Sequence, residues 1–154
     1  SHVSHGVLIS DRKLPLAERL RQLYQALGDV LTQWQPVEAA VEETFVNKNP
    51  TSTLKLGQAR GVLLLAPAMA GIPVSEYTPN LIKKSVVGTG HAQKAQVAMM
   101  VTTLLPAAAN VTDDAADALA VAICHAHLRR NQQIMAQVEL DDTRNRTGRR
   151  RVGA

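Results

Sequence analysis

The chain has 154 residues, of which 45% are hydrophobic and 19% are charged. These values predict one folded domain and argue against a disordered chain. The formal net charge of +4 permits an anionic partner but does not identify one. The single cysteine, Cys124, excludes an intrachain disulfide and favours a cytoplasmic location. We find neither a leader pattern nor a long apolar run, so we expect neither secretion nor a membrane span.

The first part of the sequence predicts a strand, a helix and a second strand. Apolar and polar residues alternate loosely over residues 2–9, which predicts the first strand. Apolar residues recur at three- and four-residue steps from Leu16 to Trp34, which predicts an amphipathic helix that Pro36 ends. Residues 37–41 are short, apolar and β-prone. They predict a buried strand that leads directly into Glu42.

The middle of the sequence predicts a second helix and a third strand. Thr51, Ser52 and Thr53 offer N-caps for this helix, and Gly71 is placed to end it. Its apolar residues are spread around the helix, so we expect it to be buried on most sides. Residues 72–77 predict the next strand.

Three helices are predicted in the remainder of the domain. Pro79 follows Thr78 and opens the first of them, residues 93–105 form the second, and Thr112 caps the last, which runs from residue 113 to about residue 130. Alternating strands and helices indicate an α/β fold. We therefore place one domain in residues 1–130 and a polar tail in residues 131–154. The tail is Arg-rich and is typical of a solvated, flexible segment.

Glu42 is the first candidate for chemistry because it ends an apolar strand. Ligand sites in open α/β sheets lie outside the carboxyl ends of strands. A carboxylate buried there is costly unless it meets a cation. The alternative is a solvated strand end without a function.

Asp114 and Asp117 form the second candidate, three residues apart on one face of the last predicted helix. The alanines around them would let this helix approach the sheet closely and bring both carboxylates beside Glu42. Acidic residues in a first helical turn also stabilise the helix dipole, which explains Asp113 and Asp114 better than Asp117.

Clustered carboxylates without cysteine or histidine partners suit hard cations such as Mg²⁺ or Mn²⁺. Lys83, Lys84 and Lys94 are candidates to meet phosphates, although each could be an ordinary surface lysine. His125 and His127 lie two residues apart and do not share a helix face, so they do not make a metal pair. We expect Cys124 in the core.

Three stretches resemble the RuvC family of Holliday-junction resolvases. They are AVEETFVNKNPTSTLKLGQARG at residues 40–61, IKKSVVGTGHAQKAQV at residues 82–97, and DDAADALAVAICHAH at residues 113–127. The resemblance extends more loosely from about residue 6 to residue 127. It implies an RNase H-like mixed sheet flanked by helices.

The resemblance also implies roles for particular residues. Glu42, Asp114 and Asp117 match the family's catalytic, metal-binding carboxylates, and Mg²⁺ is the implied cofactor, with Mn²⁺ as a possible substitute. Lys83 and Lys94 match lysines associated with DNA binding and cleavage. Phe45 matches an aromatic residue that contacts bases near the cut, and Lys48 in the same segment is a further DNA-binding candidate.

The function implied is a structure-specific endonuclease that resolves Holliday junctions by paired symmetric nicks during homologous recombination and DNA repair. The implied products carry 5′-phosphates and 3′-hydroxyls. The implied partners are four-way junction DNA, a second copy in a homodimer, and the junction-binding and branch-migration motor proteins of the same pathway. No membrane partner is expected.

The sequence departs from the family pattern at its beginning. The family starts with a strand that ends in a Gly-Ile-Asp-Pro-Gly-like motif, whose aspartate completes the metal site, and then has a second strand. Residues 1–9 match the third strand, so we expect the first strands and that aspartate to belong to a segment preceding Ser1. Two alternatives stay open: a non-catalytic junction-binding module, and a related RNase H-like nuclease for other branched or RNA-containing substrates.

Overall fold

The computed structural model describes residues 1–43, 50–108 and 111–130. The elements in chain order are α1 (Leu16–Trp34), β1 (Ala39–Glu42), α2 (Pro50–Met69), β2 (Val74–Tyr77), α3 (Pro79–Val87), α4 (Lys94–Leu104) and α5 (113–130). No helix within these ranges is long and apolar enough to cross a membrane. Helices and strands alternate through the middle of the chain, as the sequence predicts.

The sheet places Glu42 at a strand end. β1 and β2 pair in parallel, and Glu42 lies opposite Tyr77 in the register. Successive side chains of a strand point to opposite faces, so Ala40, Glu42 and Tyr77 share one face of the sheet. Ala40 and Tyr77 pack against the hydrophobic core, which identifies this face as the inner one.

The core covers this inner face and is built from α3, α4 and α5. Val101 of α4 and Cys124 of α5 are its two largest fully buried side chains. Burial raises the pKa of the Cys124 thiol, although a hydrogen bond with Ser85 opposes the shift. The interpretation of Cys124 as a core residue is therefore confirmed.

The other face of the sheet is covered by α2. This helix contacts both strands, and α1 packs against α2. Arg60 of α2 pairs with Glu76, whose side chain alternates with that of Tyr77 and points away from the core. The described chain thus has three layers, with the sheet between α2 on one side and α3 to α5 on the other.

The prediction that α2 is buried on most sides is wrong. Only Ala66 and Pro67 are buried in this helix, whereas Leu54 and Leu65 are 64% and 53% exposed. Among the described elements, α2 packs mainly against the two strands and α1. Apolar composition shows that a helix avoids water, but it does not show whether its own chain supplies the cover.

Several predicted helix ends are confirmed. The hydroxyl of Thr78 accepts a hydrogen bond from the Leu81 amide at 3.3 Å, ahead of α3. Gly71 follows α2 with a φ of 72°, a conformation that suits glycine. The predicted caps of α2 are wrong, because the helix already begins at Pro50 and residues 51–53 lie inside its first turn. Proline is favoured at this position because its missing N–H is not needed there.

The predicted strand at residues 2–9 is also wrong, since residues 1–10 carry no regular secondary structure. Val3 and Ile9 are 74% and 83% exposed. An alternating pattern forms a strand only where a neighbouring strand offers hydrogen-bonding partners, and the sheet of the described residues consists of β1 and β2. The proposed tail at residues 131–154 lies outside the described residues.

Candidate functional site

Glu42 is held at the end of β1 by backbone contacts on both sides. The amide of the next residue, Glu43, donates to the carbonyl of Tyr77 at 2.8 Å, which continues the pairing with β2. Arg60 Nε donates to the Glu42 carbonyl at 3.3 Å, from the opposite face of the sheet. The same guanidinium pairs with Glu76. The backbone that carries the Glu42 carboxyl is therefore fixed by both β2 and α2.

Asp117 reaches the same place from α5. The inward face of this helix is rich in small residues, and Ala115, Ala116 and Ala120 are almost fully buried. Small side chains allow a helix to approach its neighbours closely. A cavity of about 260 Å³ lies where α5 meets the end of β1. Its charged lining residues are Glu42, Lys83, Lys94 and Asp117.

The charges in this cavity act on Glu42 in opposite directions. Partial burial raises the pKa of the Glu42 carboxyl, the negative charge of Asp117 raises it further, and Lys83 lowers it. The first two effects are the larger ones. Glu42 and Asp117 are thus close enough to repel each other, which is the situation a bound cation relieves.

Lys94 bridges two carboxylates at the mouth of the cavity. Its ammonium lies 3.2 Å from Asp117 and 3.6 Å from Asp113. The hydrogen bond with Asp117 raises the pKa of Lys94, and the charge of Asp117 adds to the shift. The two carboxylates therefore favour the charged form of Lys94, which places a positive charge beside Asp117.

The structure does not bring every predicted residue together. Asp114 is exposed and is absent from the lining of the cavity. Asp113, in the first turn of α5, also contacts Lys94. Phe45 and Lys48 lie outside the described residues. The expectation that α5 carries acidic residues to Glu42 is met by Asp117 alone.

A second polar group beside the inner face was missed by sequence reasoning. Tyr77 Oη lies 2.7 Å from His125 Nδ1, and His125 Nε2 lies 2.8 Å from a carboxylate oxygen of Glu38. The other Glu38 oxygen is 3.2 Å from Arg129 Nε. Glu38 and His125 are 87 residues apart, so no local spacing could have revealed the contact.

The donor set suits a hard divalent cation. Glu42 and Asp117 supply the carboxylate oxygens that Mg²⁺ and Mn²⁺ prefer. Within the described ranges, no group of three or more histidine, cysteine, aspartate or glutamate side chains is arranged to hold a metal ion. Two carboxylates fit Mg²⁺ nonetheless, because this ion commonly takes its other ligands from water and substrate phosphates.

Carboxylates that can hold a divalent ion, beside lysines that can meet phosphates, suit an enzyme that acts on phosphate esters. The family model described as crossover junction endodeoxyribonuclease RuvC matches residues 1–125. The chain therefore belongs to the RuvC family, whose members are endodeoxyribonucleases that depend on divalent metal ions.

Relatives named crossover junction endodeoxyribonuclease RuvC are similar over most of the chain. The protein from Rhodospirillum rubrum is 64% identical over 128 residues, which are 83% of this chain and 76% of the relative. The protein from Paramagnetospirillum magneticum is 62% identical over 136 residues, which are 88% of this chain and 82% of the relative.

Two solved structures of Thermus thermophilus RuvC have the same fold, each with 34% sequence identity and covering 84% of this chain and 79% of the other. The TM-scores are 0.76 for RuvC itself and 0.78 for RuvC in complex with a Holliday junction substrate. The RNase H-like fold implied by the sequence motifs is therefore confirmed.

Proposed function

We propose that the cavity between β1 and α5 is where this chain cuts DNA. The protein resolves Holliday junctions by paired symmetric nicks during homologous recombination and repair. The observation that carries the proposal is the convergence of Glu42 and Asp117 with Lys83 and Lys94 on one small cavity. These residues come from four different elements, so their meeting is a product of the fold and not of local sequence. Membership of the RuvC family supplies the reaction class.

Mg²⁺ is the proposed cofactor, with Mn²⁺ as a substitute. Glu42 and Asp117 would hold it together with Asp114, and with the aspartate of the family's Gly-Ile-Asp-Pro-Gly-like motif. When bound, such ions activate the attacking water and stabilise the leaving oxygen of a phosphate displacement. Asp114 would join by a side-chain movement, because its helix position is one turn from Asp117.

The lysines provide the positive charge that the phosphate requires. Lys83 lines the cavity together with Ile82 and Pro79, and Lys94 lines it beside Asp117. Both can stabilise the negative charge that develops at the scissile phosphate. Phe45 and Lys48, which follow Glu42 in sequence, are proposed to contact DNA beside the cut.

A homodimer is the proposed assembly, because two symmetric nicks in one junction require two cavities. The exposed surface of α2 supports this proposal. Leu54, Gly61, Leu65 and Met69 repeat along one stripe of the helix and are all exposed. We call these four residues the α2 stripe. It contains no charged side chain, and Gly61 has open space around it, so a second copy of the helix could approach closely.

The decisive experiment measures cleavage of a synthetic immobile four-way junction with Mg²⁺. It compares the 154-residue chain with a version that carries the family's first strand and aspartate ahead of Ser1. We expect the longer protein to make paired nicks in strands of like polarity, and Glu42→Gln in that protein to abolish them. Binding without cleavage by both versions would favour the junction-binding module.

Two further substrates distinguish a junction resolvase from a related nuclease that acts on other substrates. Linear duplex and RNA–DNA hybrid duplex are offered under the same conditions. A resolvase cuts the junction in strong preference to both. Equal cutting of all three substrates would indicate a related nuclease of broader specificity and would contradict the proposal.

A further inference from the structure

Helix α5 meets the sheet through polar residues at two places, and one of them is the cavity described above. At the cavity end, Asp117 meets the region of Glu42. At the far end, His125 of α5 meets Glu38, which immediately precedes β1. The helix therefore runs antiparallel to β1, with a polar contact at each end.

The distance between the two polar contacts is about the same along the helix as along the strand. Asp117 and His125 are eight residues apart, or about 12 Å along a helix that rises 1.5 Å per residue. Glu38 and Glu42 are four residues apart, or about 13 Å along an extended strand. Because the two lengths agree, a contact that fixes the helix at its far end also fixes where Asp117 lies relative to Glu42.

The surface between these two ends is apolar. Leu119, Ala120, Val121, Ile123 and Cys124 are all buried there, so close packing holds α5 against the core. Apolar burial is non-directional, whereas a hydrogen bond requires particular atoms at a particular distance and angle. The polar contacts at the two ends therefore add directional constraints on the position of α5 to those of packing.

The hydrogen bonds at the far end have this directional character. An ionised carboxylate only accepts, so His125 Nε2–H donates to Glu38 at 2.8 Å. In the neutral imidazole, Nδ1 then accepts from the Tyr77 hydroxyl at 2.7 Å. Tyr77 itself lies opposite Glu42 in the sheet register. His125 is thus bonded to one residue before β1 and to the residue paired with Glu42.

We infer that the Tyr77–His125–Glu38 chain sets the register of α5 against the sheet and thereby the separation of Glu42 from Asp117. His125 is a positioning residue for the nuclease site and takes no part in the chemistry. The effect on cleavage rests on the proposed function. The effect on the position of α5 does not, and it can be measured without any activity.

The structural test is a distance measurement between spin labels at two exposed positions, Val37 and Ala118. Cys124 is fully buried, so labels attach to the two introduced cysteines. We expect His125→Ala to shift or broaden the distance distribution. His127→Ala is the matched control, since His127 is on the same helix but bonds to Ser85 of α3 at 3.3 Å. Identical distributions in all three proteins would overturn the inference, whatever the enzyme does.

The functional test uses the form of the protein that cleaves the junction. We expect Tyr77→Phe and His125→Ala to raise the Mg²⁺ concentration for half-maximal cleavage by about tenfold, the range seen when groups behind a metal site are removed. Junction affinity in EDTA should change less than about twofold, because the positive residues are untouched. Direct Mn²⁺ binding, followed by the electron paramagnetic resonance of the free ion, should weaken in parallel.

A conservative variant separates positioning from general destabilisation. Glu38→Gln keeps an acceptor for His125 Nε2–H, so it should retain more of the Mg²⁺ affinity than Glu38→Ala does. If melting temperature and junction binding fall in both variants while the Mg²⁺ dependence stays that of the wild type, the network is merely structural and the inference is wrong. If the wild-type protein does not cleave the junction, but His125→Ala still changes the spin-label distance, the result counts against the proposed function and not against the inference.

Discussion

At the scale of single residues, the surroundings of Glu42 disfavour its ionised form. Glu42 is partly buried and faces Asp117, and both effects raise the pKa of its carboxyl. An acid with a raised pKa in the folded state destabilises the fold when it ionises. This cost is absent below the ordinary pKa of 4.5 and is complete above the raised value.

Glu42→Gln should therefore separate stability from activity. We expect the variant to melt at a higher temperature than the wild type at pH 7.5 in EDTA, and at the same temperature near pH 4, where both side chains are uncharged. Junction cleavage should fall by about 100-fold or more, the loss typical of removing a group that stabilises a transition state. Thermal melts of both proteins at the two pH values measure this difference. A variant that melts below the wild type at pH 7.5 would contradict the prediction.

Arg60 acts on the backbone of Glu42 from the other face of the sheet. Arg60→Ala removes its bond to the Glu42 carbonyl, and we expect cleavage to fall by about tenfold with a raised Mg²⁺ requirement. Glu76→Gln is the control, because it removes the ion pair with Arg60 but leaves the Arg60–Glu42 hydrogen bond. Equal losses in both variants would assign the effect to the ion pair.

The sequence identified some of these residues and not others for a physical reason. Glu42 and Asp117 stand out because acidic side chains at an apolar strand end or on an apolar helix face require an explanation. Arg60 lies within the KLGQARG motif, but its partner Glu42 is 18 residues away, and its direction depends on how α2 crosses the sheet. The pairing of Asp113 with Lys94 likewise depends on where α4 begins relative to α5.

At the scale of elements, local patterns predicted the helices well and the first strand badly. A helix satisfies its own backbone hydrogen bonds, so the periodicity of α1 or α4 is nearly sufficient to define it. A strand depends on a neighbour, which explains why residues 2–9 alternate without forming one. The exposure of α2 was missed for a related reason, since apolar composition does not show which face of a helix its own chain covers.

Leu65→Glu tests the α2 stripe directly. A charge in the middle of an apolar interface must be desolvated, so we expect the variant to sediment as a monomer at concentrations where the wild type is dimeric. Met99→Glu is the matched control on α4, where Met99 is 61% exposed compared with 53% for Leu65. A dimer that survives Leu65→Glu would place the interface elsewhere.

At the scale of the whole molecule, positive charge is most concentrated at the end of the chain. Residues 144–154 contain five arginines and no acidic residue, so removing them takes the formal net charge from +4 to −1. Whether these arginines bind DNA decides how strongly the junction complex depends on salt. The position of the cut should not depend on them, because the cavity residues all precede residue 130.

Deleting residues 144–154 should flatten the salt dependence of junction binding. Each phosphate contact contributes about 0.9 to the slope of log affinity against log salt on duplex DNA. We expect the slope to fall by roughly two or more, with the nicks at unchanged positions. Fluorescence anisotropy gives the junction affinity at each salt concentration. An unchanged slope would show that these residues do not contact DNA.

The proposed dimer surface and the contact to the Glu42 backbone lie on the same helix, α2. The α2 stripe faces away from the sheet, while Arg60 of the same helix reaches through to the Glu42 carbonyl. A second copy that docks on the stripe would therefore contact the helix that also holds the end of β1, where we propose that cutting occurs. Dilution should then lower cutting per bound junction before it lowers binding, so an isolated subunit on DNA would be a poor nuclease and stray single nicks would be suppressed.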